Sequence, residues 1–327
     1  AEAVSVAAEA CAEDTKGQTC YICTQALHWK TKEGLVRMCA CRGTAGFAHV
    51  SCLAEQAKIL VAEAEDNNLD VKVWNERFAR WHTCSLCEQE YHGVVRFALG
   101  CACWKTYLGR READFARCMA MRQLGNGLFA AEHFEDALSM RETELSVLRR
   151  LGASEGDILD VQGNLSITYG KLGRYERALQ IERDVYFGRL SLHGEEHEDT
   201  VREASGYALS LLHLGRFQEV KTVSRKTIPV ARRVLGGHHG HLLMMRLNYA
   251  IALYKDPTAT LDDLREAVVT LEETELLARR VLGGVHPFAA GAEKSLRESR
   301  AVLRARESGD VESIRELVAA MAASWDA

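Results

Sequence analysis

The sequence predicts a mainly α chain, in which an N-terminal cross-brace zinc-binding domain is followed by an α-α superhelical solenoid. Three observations carry this reading. Cysteines and a histidine fall into four close pairs within residues 20–87, the later sequence repeats itself at an interval near 42, and there are only three prolines in 327 residues to interrupt helices. Tetrahedral zinc takes thiolate and imidazole donors in fours, and a Cys-x-x-Cys loop delivers two of them from one turn of backbone. A self-similar period in this range marks paired helices that must stack to bury their apolar faces.

Composition narrows the function classes. A 47% hydrophobic content is ample for a core, and the length suggests about two domains. The net charge of −5 and a pI of about 6.2 favour neither nucleic acid nor an acidic membrane surface as a bulk partner. Seven of the eleven cysteines belong to the paired pattern, leaving Cys11, Cys101, Cys103 and Cys118 outside any pairing scheme. That usage suits the reducing cytosol or nucleus, with the cytoplasm as the expected setting. The opening Ala1 to Asp14 is acidic and lacks a basic start followed by an apolar block, so no signal peptide is expected. No apolar run is long enough for membrane insertion.

Residues 1–17 are small and acidic, without periodicity, and read as a flexible leader. A zinc domain is expected over 18–92. Cys20 and Cys23 enclose two residues, Cys39 and Cys41 one, seven residues lead to His49, two more to Cys52, and Cys84 and Cys87 again enclose two. Alternating pairs predict a crossed arrangement, with Cys20, Cys23, His49 and Cys52 on one zinc ion and Cys39, Cys41, Cys84 and Cys87 on the other. Between Cys52 and Cys84, helical spacing places Leu53, Ala57, Leu60, Val61 and Ala64 on one face, and Trp74, Phe78 and Trp81 on another. So small a domain depends on metal, which supplies on the order of 10 kcal/mol in finger peptides, so its removal should unfold the domain.

At these residues the sequence resembles the RING-CH family, the zinc domain of one class of ubiquitin ligases. The resemblance covers about the first quarter of the chain. It rests on the seven-residue gap before His49, and on Cys20-Tyr21-Ile22-Cys23, Cys41-Arg42-Gly43-Thr44, His49-Val50-Ser51-Cys52-Leu53 and Cys84-Ser85-Leu86-Cys87 followed by Tyr91. A PHD finger shares the ligand order, but usually with a wider second pair and a shorter run before the histidine. The resemblance implies that Ile22 and Leu86 touch a ubiquitin-conjugating enzyme; as bare apolar residues, each could equally belong to the core. Gln56 stands where the family commonly has tryptophan, and Glu88 where many active RING ligases place a basic residue that steadies ubiquitin.

Residues 93–112, with Val94, Val95, Phe97, Ala98, Leu99 and Trp104, read as a linker helix. Cys101 and Cys103 within it read as ordinary buried thiols, a third metal site being the alternative.

Helical repeats are expected over 113–327. Phe134, Tyr175 and Phe217 recur at intervals of 41 and 42, Gly152, Gly194 and Gly236 at 42, and Gly283 follows after 47. Ala231-Arg232-Arg233-Val234-Leu235-Gly236-Gly237 is echoed by Ala278-Arg279-Arg280-Val281-Leu282-Gly283-Gly284, the extra residues fitting an insertion near Asp256-Pro257-Thr258. Gly125, Ser166, Ala208 and Ala250 share a column where close helix contact excludes larger side chains. Pro229 should kink or shorten its helix.

This part resembles tetratricopeptide repeats, particularly the longer-period form of kinesin light chains. His197, His239 and His286 follow their glycines by three residues, like that form's Gly-x-x-His-Pro connection, although only His286 precedes proline. Their repeat spacing favours a structural turn role over a metal. About four repeats and a terminal helical segment are expected. In such repeats an asparagine column lines the concave face and holds an extended peptide, which here implicates Asn164 and Asn248; ordinary helix packing is the alternative. A kinesin-light-chain-like cargo adaptor would need coiled-coil heptads, which are lacking.

The combined reading is a soluble ubiquitin ligase without a catalytic residue of its own. The zinc domain recruits a ubiquitin-conjugating enzyme carrying ubiquitin, and the repeats hold a protein or peptide substrate or an adaptor. A noncatalytic interaction scaffold is the alternative.

Overall fold

A computed structural model describes residues 2–284 and 286–309. Residues 310–327, on which the expected terminal helical segment partly falls, lie outside them. Among the described residues there are thirteen α-helices and no strands, apart from two isolated antiparallel bridges, Val36 with Ala48 and Thr83 with Glu90. The chain divides into two compact units, Ala1–Leu172 and Gly173–Ala327.

In the first unit, α1 (Glu2–Ala10) stands where the sequence suggested a flexible leader, and that expectation is corrected. Its acidic face stays in water, while Ala7 and Cys11 are buried in one cluster with Leu35, Val36, Phe47, Val95 and Leu99. Ala3, Val4 and Ala8 pack against the same cluster, so the docked stripe has helical spacing, hidden in the sequence because Val6 and Ala10 off the stripe are apolar as well. Arg37 reinforces the attachment, pairing with Asp14 and lying over the Phe47 ring.

Helices α2 (Val50–Asp66) and α3 (Val71–Phe78) and a 3₁₀ turn (Ala79–Trp81) lie between Cys52 and Cys84. The apolar spacing is realised: Leu53, Ala57, Val61 and Ala64 are buried along α2. Trp74, Phe78 and Trp81 are buried with Tyr107 in a second cluster, Trp74 stacking on Phe78 at 4.8 Å between ring centroids. Asp70 caps α3 by accepting from the amides of Lys72 and Val73.

The next helix, α4 (Gly93–Tyr107), is more than the linker that the sequence suggested. It packs along α5 (Phe115–Ala130), and each helix has a glycine at the crossing. A Cβ at Gly100 would stand 2.7 Å from the Gln123 carbonyl oxygen, and one at Gly127 would stand 2.9 Å from Phe97 Cα. Helices α6 (Phe134–Leu151) and α7 (Glu155–Lys171) continue the unit, Ser154 capping α7.

The second unit contains α8 (Tyr175–His193), α9 (Glu198–His213), α10 (Phe217–Leu235), α11 (Gly240–Lys255), α12 (Leu261–Leu282) and α13 (Pro287–Ser308), each packed on the next. The repeat glycines at 152, 194, 236 and 283 sit just past helix ends with φ between +67° and +89°, which a side chain would strain. His197, His239 and His286 are the N-caps of α9, α11 and α13, each Nδ1 accepting the amide hydrogen two residues on. The small-residue column is buried, with Ser166, Ala208 and Ala250 at most 1% exposed. Pro229 does not shorten α10, which runs unbroken through it.

Candidate metal centre

All eight candidate ligands lie in the first unit, in the two crossed sets that the spacing predicted. Donor atoms of Cys20, Cys23, His49 and Cys52 lie within 4.8 Å of one another, and so do those of Cys39, Cys41, Cys84 and Cys87. Tetrahedral zinc with sulfur at about 2.3 Å spaces its thiolates about 3.8 Å apart and an imidazole nitrogen slightly closer. Cys41 Sγ is 3.7 Å from Cys84 Sγ, and His49 Nδ1 is 3.3 Å and 3.6 Å from the sulfurs of Cys23 and Cys52. Both donor sets therefore fit zinc in kind, number and spacing, and the chain is built for two ions.

Local backbone explains how these donors come together. In the first loop the Ile22 amide donates to Cys20 Sγ, and in the last loop the Leu86 amide donates to Cys84 Sγ, each at 3.4 Å. The residue after each loop, Thr24 or Glu88, has φ near +60°, so the two loops have the same shape. His49 is fully buried, and its Nε2 lies 3.4 Å from the Ala26 carbonyl, which orients the ring and leaves Nδ1 for metal. A ring so used cannot cap the helix it precedes. Glu33 does so instead, accepting from the Ser51 amide and hydroxyl at 2.7 and 2.9 Å.

Electrostatics without the ions shows what they would relieve. Burial pushes the Cys39 and Cys52 thiols far up and Cys41 to about 11, because a thiolate there loses water and faces other sulfurs. At Cys87 burial also opposes ionisation, but the Gln89 amide and the neighbouring thiols prevail and bring it to about 7. Burial lowers His49, keeping it the neutral ligand that zinc requires.

The residues singled out for partners separate. Ile22 and Leu86 are 37% and 51% exposed, so neither is a core residue. Their loops are tied by a 2.9 Å hydrogen bond between the Tyr21 and Ser85 hydroxyls, a link that only the folded chain reveals. Asn164 is partly exposed in α7. Asn248, however, is 2% exposed and faces helix packing, which corrects the expectation that it lines an open peptide groove. Cys101 and Cys103 join no metal-binding group among the described residues, and Cys103 is fully buried.

Comparison with known proteins agrees with both parts. The RING-variant domain family matches residues 20–67, which stops short of Cys84 and Cys87; the fold brings these two into the second set, as the alternation of pairs predicts. A tetratricopeptide repeat family matches residues 158–199. No curated protein matches the chain significantly. Similar solved structures include BtubC (BKLC) from P. vanneervenii, 13% identical with a TM-score of 0.49 over 82% of this chain and 88% of that one. Another is a putative kinesin light chain of Podosopora anserina with nearly identical TPR-like repeats, 16% identical with a TM-score of 0.46 over 72% and 98%. The chain thus carries a RING-variant domain at its N-terminus, built for two zinc ions, and tetratricopeptide repeats beyond it.

Proposed function

We propose that this protein is a RING-type ubiquitin ligase. The zinc domain recruits a ubiquitin-conjugating enzyme charged with ubiquitin, and the repeats present a protein or peptide substrate. The observation that carries this reading is the pair of crossed donor sets with Ile22 and Leu86 exposed on the two loops that Tyr21 and Ser85 join. Bound zinc neutralises the thiolates and fixes the loops; it takes no part in bond making. The chain acts by orientation, since holding a thioester and a lysine amine in attack geometry replaces a diffusional encounter. Ile22 and Leu86 supply apolar contact to the conjugating enzyme, and Asn164 is the asparagine left accessible for a peptide on the repeats. The setting is the cytoplasm or nucleus, where thiols stay available for zinc.

The noncatalytic scaffold keeps one specific observation in its favour: Glu88 puts an acidic residue, in a left-handed turn, directly after the last ligand. Ubiquitination assays with a panel of conjugating enzymes, on protein of measured zinc content, separate the two. Ligase activity should appear with some enzymes and fall sharply in Ile22→Ala, Leu86→Ala and Cys39→Ser. Equal inactivity of the wild type and Cys39→Ser throughout the panel would leave the scaffold.

A further inference from the structure

The connection between α8 and α9 contains a cluster that neither the zinc domain nor the repeat architecture uses. His193 ends α8, His197 caps α9 and Asp199 follows in the first turn. One donor atom from each lies within 4.8 Å of the other two. The imidazoles stack with centroids 4.3 Å apart, and Asp199 Oδ2 is 4.0 Å from His193 Nε2 and 3.7 Å from His197 Nδ1.

The chain itself supplies a comparison. His197, His239 and His286 all cap their helices in the same way, so capping explains one histidine per connection. It does not explain His193 or Asp199. The corresponding positions are Leu235 and His241 around His239, and Leu282 and Phe288 around His286, so neither connection repeats the His-His-Asp set. Of the nearby acids, Glu195 pairs with Lys226 at 2.6 Å and Glu196 with Arg233 at 2.7 Å, and the other oxygen of Asp199 pairs with Arg202 at 2.8 Å. What remains is one carboxylate oxygen beside two imidazoles that are between a third and a half exposed; because His197 Nδ1 accepts the Asp199 amide hydrogen, His197 would offer its Nε2 to an ion from solution.

We propose that His193, His197 and Asp199 bind a divalent transition metal of the zinc class. Two imidazoles and a carboxylate suit zinc, cobalt or nickel rather than calcium or magnesium, which take oxygen donors. Three protein ligands leave a coordination position for water or an outside donor, unlike the closed sulfur-rich sites. The site would clamp the end of α8 to the start of α9.

Equilibrium dialysis of the full chain in zinc-buffered solution, with far-UV circular dichroism to verify folding, tests this. The wild type should bind three zinc ions. His193→Ala, which leaves the His197 cap intact, and Asp199→Asn, which keeps the capping amide, should each bind two with unchanged helicity. His239→Ala, a control in the next histidine-rich connection, should still bind three. A wild type that saturates at two, or a third ion that persists in His193→Ala, overturns the proposal.

Discussion

Replacing Cys84 with serine isolates the least local feature of the zinc domain. Cys84 is reached only after α2, α3 and the 3₁₀ turn, yet its sulfur lies 3.7 Å from that of Cys41. Structural zinc contributes on the order of 10 kcal/mol in finger peptides, so one of four thiolates accounts for roughly 3 kcal/mol, about a hundredfold in affinity. The serine variant should therefore lose the second ion in competition with a chelator and keep the first, because Cys20, Cys23, His49 and Cys52 are untouched. Released zinc, followed with a colorimetric chelator, reads this directly, with Cys118→Ser as the thiol control. Retention of both ions at wild-type affinity by Cys84→Ser would refute the crossed assignment, and loss of both would show that the sets do not fill separately.

Other expectations follow from the same structure. Zinc affinity should fall as pH falls, about tenfold per pH unit for each thiol proton displaced, since Cys41 near 11 and the raised Cys39 and Cys52 must ionise to bind; a pH-independent affinity would contradict this. Gly100→Ala should destabilise the first unit by ~1–3 kcal/mol in urea, because its Cβ would meet a backbone oxygen at 2.7 Å; the gain usual for alanine in a helix would disprove the α4–α5 crossing. Lys221→Met should cost ~3 kcal/mol or more, as Lys221 and Asp256 pair at 2.7 Å with side chains 5% exposed and the carboxylate would be left buried. Although burial opposes its charge, hydrogen bonds from Lys221 and Thr258 hold Asp256 below its ordinary value of 3.8. Its contribution is therefore complete above that value and lost as pH falls through the lower folded one, so acid titration below about pH 4 should narrow the gap between wild type and variant.

What could be read from the chain alone was local or periodic. Short ligand pairs announce themselves because a turn of backbone fixes their spacing, and their alternation suffices to assign Cys84 and Cys87. The repeat glycines and histidines are legible for the same reason, each marking a helix end by its own conformation. Contacts between distant segments leave no such trace. Docking of α1 depends on Ala7 and Cys11 meeting residues far along the chain, and the α4–α5 crossing depends on two glycines that look unremarkable singly. Asn248 shared a column with Asn164, but a column fixes only the register of a helix, and its burial is decided by the packing of neighbouring helices. The His193, His197 and Asp199 cluster is half visible in the sequence: repeat spacing marks His197 as a turn residue, while its companions gain meaning only once α8 ends beside it.

Zinc-edge X-ray absorption on protein carrying only the two ions of the RING-variant domain, secured with His193→Ala, tests the central claim most directly. Seven sulfurs and one nitrogen shared between two ions give 3.5 sulfur and 0.5 nitrogen neighbours per zinc, with Zn–S at about 2.3 Å. A spectrum of that average supports two zinc ions held by these eight donors. Two or more nitrogen or oxygen neighbours per zinc would contradict this.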